Sequence, residues 1–122
     1  MFEEISVAIY NFLSQNTVFR NTMLRDGNIE LYPLMAPEST SFPLTTYAVG
    51  EITPVTKDLG DGTVDIAFWF GNSAANYLQL CEFTDAMINE IIENSDFYFK
   101  SAVIEFNLDF MSYSGTITIS RT

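Results

Sequence analysis

The segment TVDIAFWF, residues 63–70, alternates its side chains in the way typical of a β-strand with one buried face. The large apolar side chains on one face are expected to lie against the core: Ile66, Phe68 and Phe70. Trp69 lies on the opposite face, so we expect the sheet to carry a large aromatic side chain on a second surface.

A helix is expected directly after this strand, over residues 74–94, with Asn72 or Ser73 as its N-cap. The apolar side of this helix is formed by Tyr77, Leu80, Cys81, Thr84, Met87, Ile88, Ile91 and Ile92. A first helix is expected over residues 2–15, continuing loosely as far as Leu24. Its apolar side is formed by Phe2, Ile5, Ala8, Ile9, Phe12 and Leu13.

The remaining periodic segments predict four further strands, at residues 28–34, 44–55, 98–111 and 116–121. The first of these is expected either to end at Tyr32 or to lie on a sheet edge, because Pro33 donates no ladder hydrogen bond. These strands are joined by a loop at 35–43, a hairpin tip at 57–62 and a turn at 112–115. Gly50 is expected to mark a β-bulge in its strand. The alternation in 98–111 predicts one wet face, formed by Glu105, Asn107 and Asp109.

The element order α-β-β-β-α-β-β predicts a single α+β domain that spans residues 1–122. We expect a mixed or antiparallel sheet of about five strands, with both helices packed on its apolar face. A chain of 122 residues is long enough to bury a core without disulfides or a structural metal.

The charge balance excludes several classes of partner. The chain carries 16 Asp and Glu residues against 5 Lys and Arg, a net charge of -11. We expect no binding to nucleic acid or to an anionic membrane surface, because both need a basic patch. The apolar stretches are shorter than the roughly 18 residues of a membrane span, and the acidic start MFEE lacks the basic region of a secretory signal. These features predict a protein of a reducing cytoplasm.

The residue types present exclude much catalytic chemistry. The sequence has no histidine and a single cysteine, Cys81, so one chain cannot build a His-based nucleophile system or a His or Cys zinc site. The acidic run at residues 58–65 fails as a calcium loop, because its twelfth position is Trp69 rather than a bidentate glutamate. Glu105 and Asp109 lie about 13 Å apart along a strand, too far for a two-carboxylate hydrolase. We expect no enzyme activity, no catalytic residues, no cofactor and no bound metal.

Apolar side chains on outward faces favour assembly instead. Val7 and Tyr10 lie opposite the core side of the first helix. Trp69 is expected either at a subunit interface or in a second small cluster under a loop. The acidic hairpin tip, with Asp58 and Asp61, is expected to become ordered on docking. These five side chains are the candidate interface residues, and a symmetric oligomer would bury such surfaces.

The segment IELYPLMAP, residues 29–37, followed by residues 42–44 and Tyr47, resembles a stretch of the small tail-completion proteins of tailed phages. The opening helix, the Asp-Gly hairpin and the later acidic helix also occur in the order of that family. The family is that of the tail terminators, which have the fold of the lambda-like minor tail protein U.

The resemblance implies a ring, usually of six subunits, that caps the tail tube, stops its polymerisation and offers a docking surface to the head connector. It implies partners in the tail-tube and head-connector proteins, passage of DNA without specific binding, and no cofactor. It also implies a place in the host cytoplasm during assembly and later in the virion tail. Two alternatives stay open: another head–tail joining or neck ring protein, and a small carboxylate-dependent enzyme or ligand-binding module.

Overall fold

The computed structural model of the chain describes residues 1–37, 40–54 and 60–121. In these ranges the helices are α1 (Phe2–Gln15), α2 (Thr17–Met23) and α3 (Ala74–Asn94). The strands are β1 (Leu24–Arg25), β2 (Asn28–Ile29), β3 (Leu31–Pro33), β4 (Leu44–Pro54), β5 (Gly60–Gly71), β6 (Tyr98–Asn107) and β7 (Ser112–Arg121). A short 3-10 helix, Leu108–Phe110, joins β6 to β7.

Five strands form one mixed sheet in the order β3-β4-β5-β7-β6. β3 runs parallel to β4, and the other neighbouring pairs are antiparallel. β1 and β2 pair separately around Asp26 and Gly27, whose positive φ angles of 51° and 82° are those that a two-residue hairpin requires. The predicted α+β single domain is confirmed, with α2 as an additional short helix.

The helices lie on one face of the sheet and share a single core with it. The alternation predicted for β5 is confirmed, because its inward side chains are all buried: Val64, Ile66, Phe68 and Phe70. At the centre, Phe68 meets Phe83 of α3 edge-on with ring centroids 4.8 Å apart. Phe19 of α2 lies 6.4 Å from Phe68 and 6.3 Å from Phe83. Burying each of these rings contributes about 1.5–3 kcal/mol, so this cluster joins α2, β5 and α3.

Local capping decides where the helices begin. Asn16 adopts an extended conformation, and its side-chain oxygen accepts a hydrogen bond from the Phe19 amide at 3.0 Å, which starts α2. The Asn16 amide group also donates to Glu90 Oε1 of α3 at 2.9 Å. Ser73 is confirmed as the N-cap of α3, since its Oγ accepts from the Asn76 amide at 3.1 Å.

The expected loose extension of the first helix to Leu24 is corrected, because it is a separate helix, α2. The single strand predicted over residues 28–34 is also divided, at Glu30, into β2 and β3. The Glu30 amide donates to the Met23 carbonyl, whereas its carbonyl accepts from the Thr45 amide. The chain therefore changes partners at Glu30, from the small ribbon to the main sheet.

The strand predicted over residues 98–111 ends at Asn107. The 3-10 helix Leu108–Phe110 follows it, and Met111 adopts a left-handed conformation. The turn predicted at 112–115 is therefore wrong, because these residues open β7. The apolar and polar alternation continues through the 3-10 helix and conceals the turn, which contains neither glycine nor proline.

The predicted hairpin tip at residues 57–62 is seen only in part, since residues 55–59 lie outside the described residues. Residues 60–62 belong to β5 rather than to a turn. A Cβ atom added to Gly62 would overlap Ile5 Cδ1, so glycine here provides room for α1 to pack on the sheet.

The helices contact the sheet along narrower stripes than their periodicity predicts. Phe2 and Ile92, both assigned to apolar sides, are 56% and 58% exposed. Tyr77 is also exposed, whereas Phe83, which the predicted side omits, is buried. The core side of α3 therefore follows Leu80, Phe83, Thr84, Met87 and Ile91.

Gly115 of β7 provides a test of this packing. A Cβ atom there would lie 2.5 Å from Thr84 Oγ1 and 3.2 Å from Leu80 Cδ1 on α3. We expect Gly115→Ala to lower the free energy of unfolding by about 1–3 kcal/mol, because helix and strand must separate. Gly50→Ala is the matched control, since a Cβ atom there meets nothing closer than 3.9 Å. Gly50 lies at the bulge that the sequence predicts and the strand register confirms. Urea-unfolding midpoints measure both variants, and equal midpoints would contradict the packing.

Candidate assembly surfaces

The sheet face turned away from the helices is composed largely of small and polar side chains: Thr46, Ala48, Asp65, Ala67, Ser114, Thr116 and Thr118. Asp65 is exposed, and its Oδ1 accepts a hydrogen bond from Thr118 Oγ1 at 2.7 Å. Glu105 and Asn107 lie on this face, as predicted, whereas Asp109 belongs to the 3-10 helix. The three α-helices lie on the other side of the sheet, so the part of this face around Asp65 is exposed, whereas Phe110 of the 3-10 helix packs on Trp69 at one end of it.

Trp69 lies half-buried at one end of this face. Its indole N–H donates to Thr46 Oγ1 at 3.0 Å, and its ring meets Phe110 edge-on with centroids 6.0 Å apart. These three side chains line an open groove of about 360 Å³, the Trp69 groove, together with Leu34, Met35, Ala36, Pro37, Thr40, Phe42 and Leu44. Trp69 therefore points away from the helices, as predicted, and belongs to a second cluster beside the loop after β3.

The described part of this loop is fixed by Arg25, at the end of β1. The guanidinium group donates to the carbonyl oxygens of Ser41 and Phe42 at 2.7 and 2.8 Å, and it lies 3.5 Å from the Glu30 carboxylate. Glu30 also accepts a hydrogen bond from the Tyr32 hydroxyl at 2.5 Å. This hydrogen bond, then burial and the charge of Glu30, raise the pKa of Tyr32 above its ordinary value of 10.0.

A first apolar surface, the β3-edge surface, is formed by Phe2, Val7, Tyr10, Leu34 and Met35. Phe2 and Leu34 line a shallow groove between α1 and the β3–β4 edge. Leu34 and Met35 are each 77% exposed. Leu34 also has a φ of 63°, a left-handed conformation that costs a leucine about 1–2 kcal/mol. The Leu34 amide donates to the Tyr47 carbonyl at 2.8 Å, so the backbone is held within one copy while the side chain stays exposed.

A second apolar surface, the β6-edge surface, consists of Tyr98, Phe99, Val103 and Phe106 of β6, followed by Leu108 and Met111. Phe110 is exposed as well, but it lines the Trp69 groove together with Leu34 and Met35. Met111 repeats the feature seen at Leu34, since its φ is 45° and its side chain is 51% exposed. The sequence predicts that the alternating apolar residues of this segment face the core, which is wrong for Leu108 and Phe110. One signal was present: an alternating strand cannot bury the adjacent aromatic residues Tyr98 and Phe99 on one face.

The candidate interface residues lie in three different places. Val7 and Tyr10 are 51% and 42% exposed on the β3-edge surface. Trp69 lines the Trp69 groove. Asp61 is half-buried in β5, about 26 Å along the strand from Trp69. Asp58 lies outside the described residues. The structure thus brings Trp69 close to the loop that ends the β3-edge surface, but it does not bring Asp61 there.

The described ranges bear on two simple kinds of feature, a metal centre and a membrane-spanning helix. Across residues 1–37, 40–54 and 60–121, no three acidic or cysteine side chains group in a way that could hold a metal ion. Within the same ranges, no helix is long and apolar enough to cross a membrane. Cys81 is half-buried in α3, and its hydrogen bond with Tyr77 raises the pKa of that tyrosine.

Comparison with known proteins assigns no family. No protein-family model matches the sequence, and a search of curated proteins finds no match. The interpretation of the two edge surfaces therefore depends on their geometry and on the sequence pattern.

The Tyr32–Glu30 hydrogen bond predicts a pH dependence of stability. A raised pKa favours the protonated Tyr32 hydroxyl in the folded state. Its contribution to the free energy of unfolding is therefore complete below pH 10.0 and is lost as the pH rises through the raised pKa. We expect the free energy of unfolding to fall less steeply above pH 10.0 in Tyr32→Phe than in the wild type. Urea unfolding at stepped pH measures this, with Tyr98→Phe, an exposed tyrosine on β6, as the matched control. Parallel curves for all three proteins would exclude the effect.

Proposed function

We propose that the chain is a tail terminator, a ring-forming structural protein of a phage or prophage. In this proposal it caps the tail tube, stops tube polymerisation and offers a docking surface to the head connector. The likeness of residues 29–37, 42–44 and Tyr47 to tail-completion proteins supplies the identity. The observation that carries the assembly is the presence of two different apolar surfaces at opposite edges of one sheet.

The positions of these two surfaces favour a ring over a two-fold symmetric dimer as the assembled form. β3 and β6 are separated by the width of a five-stranded sheet, about 19 Å at ~4.8 Å per strand. A contact between the β3-edge surface of one copy and the β6-edge surface of the next is heterologous, and it repeats until the ring closes. Each surface also carries one exposed residue at positive φ, Leu34 or Met111. Burial in such a contact offsets the backbone strain at both positions.

The charge of the chain suits a ring through which DNA passes. The net charge is -11, with 16 acidic residues against 5 basic ones, and one of the basic residues, Arg25, lies beside the Glu30 carboxylate. Asp65 and Glu105 are exposed on the uncovered sheet face. If this face lines the bore, these carboxylates repel phosphates and let the genome slide without binding.

Two experiments test the proposal. Light scattering gives the mass of the protein alone and mixed with the cognate tail-tube protein, and we expect a species of about six 13.8 kDa subunits in at least one condition. A monomer in both conditions would contradict a ring. Electron microscopy of particles made without the protein separates a terminator from a neck ring. Abnormally long tails support the terminator, whereas normal tails unattached to heads support the neck protein.

Leu34 tests the surface on which the ring depends. We expect Leu34→Asp to abolish the ring-sized species, because it places a carboxylate in an apolar contact. The free energy of unfolding should change by less than about 0.5 kcal/mol, because the side chain is 77% exposed and aspartate tolerates the left-handed conformation. Leu34→Met keeps an apolar side chain and should still assemble. Normal rings from Leu34→Asp would remove the β3-edge surface from the interface.

A further inference from the structure

We propose that two copies of the free protein pair through β6, antiparallel and in one defined register, to form a two-fold dimer with a continuous sheet. β6 is ten residues long and pairs on one side only, with β7. No other backbone group of the described residues bonds to its outer edge. A long, exposed, apolar edge strand of this kind is a template for another strand.

The two faces of β6 decide which registers are possible. Phe99, Ala102, Ile104 and Phe106 lie on the helix side of the sheet, opposite Ile119, Ile117, Gly115 and Tyr113 of β7. Tyr98, Ser101, Val103, Glu105 and Asn107 lie on the other side. Lys100 is the extra residue of a bulge between Phe99 and Ser101. Residues opposite each other in an antiparallel pair must lie on the same face, so any pairing must respect these two sets.

A pairing centred on Val103 satisfies this condition along the whole strand. Val103 then lies opposite Val103 of the second copy, and Ala102 lies opposite Ile104. Phe99 lies opposite Phe106, a match that only the bulge makes possible. Residues seven apart on a regular strand lie on opposite faces, and the extra residue at Lys100 returns these two rings to the same one.

The same register pairs the charges of the strand. Ser101 lies opposite Glu105 of the second copy, and Lys100 directly precedes Ser101, so a basic and an acidic residue come within one position of each other at both ends of the two-fold contact. Lys100 is one of 5 basic residues in the chain. Both side chains are exposed, and neither forms an ion pair within the described residues of one copy. The order of faces and of charges along β6 therefore suits a second copy of the same strand as the occupant of the edge.

A two-fold contact closes after two copies and cannot propagate into a ring. The dimer covers most of the β6-edge surface, so it holds the subunit in a form that cannot enter the proposed ring until the strands separate. This holding role rests on the proposed function. The dimer itself does not.

Charge reversal tests the register. We expect Lys100→Glu and Glu105→Lys each to raise the dimer Kd about tenfold, because both symmetric contacts become repulsive. The double variant should return to within about threefold of the wild type, because the pairs are restored in reverse. Arg20→Glu, an exposed residue of α2, is the control for the change in net charge. Sedimentation equilibrium of the free protein measures all four. A double variant as weak as the single ones would overturn the register.

A cysteine at the two-fold axis gives an independent readout. In a Cys81→Ser background, Val103→Cys places two thiols on opposite residues whose Cα atoms are about 4.5–5.5 Å apart, within the span of a disulfide. We expect oxidation to link two copies, whereas Val7→Cys in the same background stays unlinked. A disulfide that forms only in a mixture of Val103→Cys and Ala48→Cys chains would place β6 against the part of β4 that extends beyond β3, and it would overturn the dimer. A monomer with no link would also overturn it, and the ring proposal would still stand on the tail-tube mixture.

Discussion

The packing of Phe19, Phe68 and Phe83 against one another holds the two layers of the molecule together. Each ring comes from a different element, so α2, β5 and α3 share one contact on one side of the sheet. A chain of this length builds one helical layer. The edge strands β3 and β6 and the part of the second sheet face around Asp65 are left without a covering helix, and the surfaces that we propose for assembly lie along these two edges.

Much of the fold follows from local sequence. The strand at 63–70 and the cap at Ser73 depend on alternation and on side-chain chemistry near in sequence, and both are confirmed. The order of the strands is a non-local property. Because β7 lies between β5 and β6, the apolar alternation of residues 98–111 falls on an edge rather than in the core. The sequence therefore identifies Val7 and Tyr10 as outward residues from their helix side. For β6 its only signal is the adjacent pair Tyr98 and Phe99, which does not reveal that the whole strand lies at an edge.

The chain has 5 basic residues, and Arg25 and Arg121 are among those that make defined contacts within the fold. Arg25 fixes the loop beside the Trp69 groove, and the Arg121 guanidinium lies 5.5 Å from the centre of the Phe97 ring. With 16 acidic residues in the chain, copies that approach each other do so against mutual repulsion, which salt screens. Apolar edges can attract at short range while the acidic surface opposes approach at long range. This balance opposes non-specific association of copies, yet it permits a close contact between complementary surfaces.

The open edge of β6 also has a consequence for the cell that makes this protein. An edge strand ten residues long accepts any compatible strand, including strands of unfolded or partly synthesised chains. Every copy whose β6 edge stays unpaired therefore adds to the pool from which aggregates nucleate. The bulge and the lysine within the strand lower that hazard without removing it. Under the proposed assembly, a protein built in this way depends on matched synthesis, with its amount set close to the number of rings that consume it.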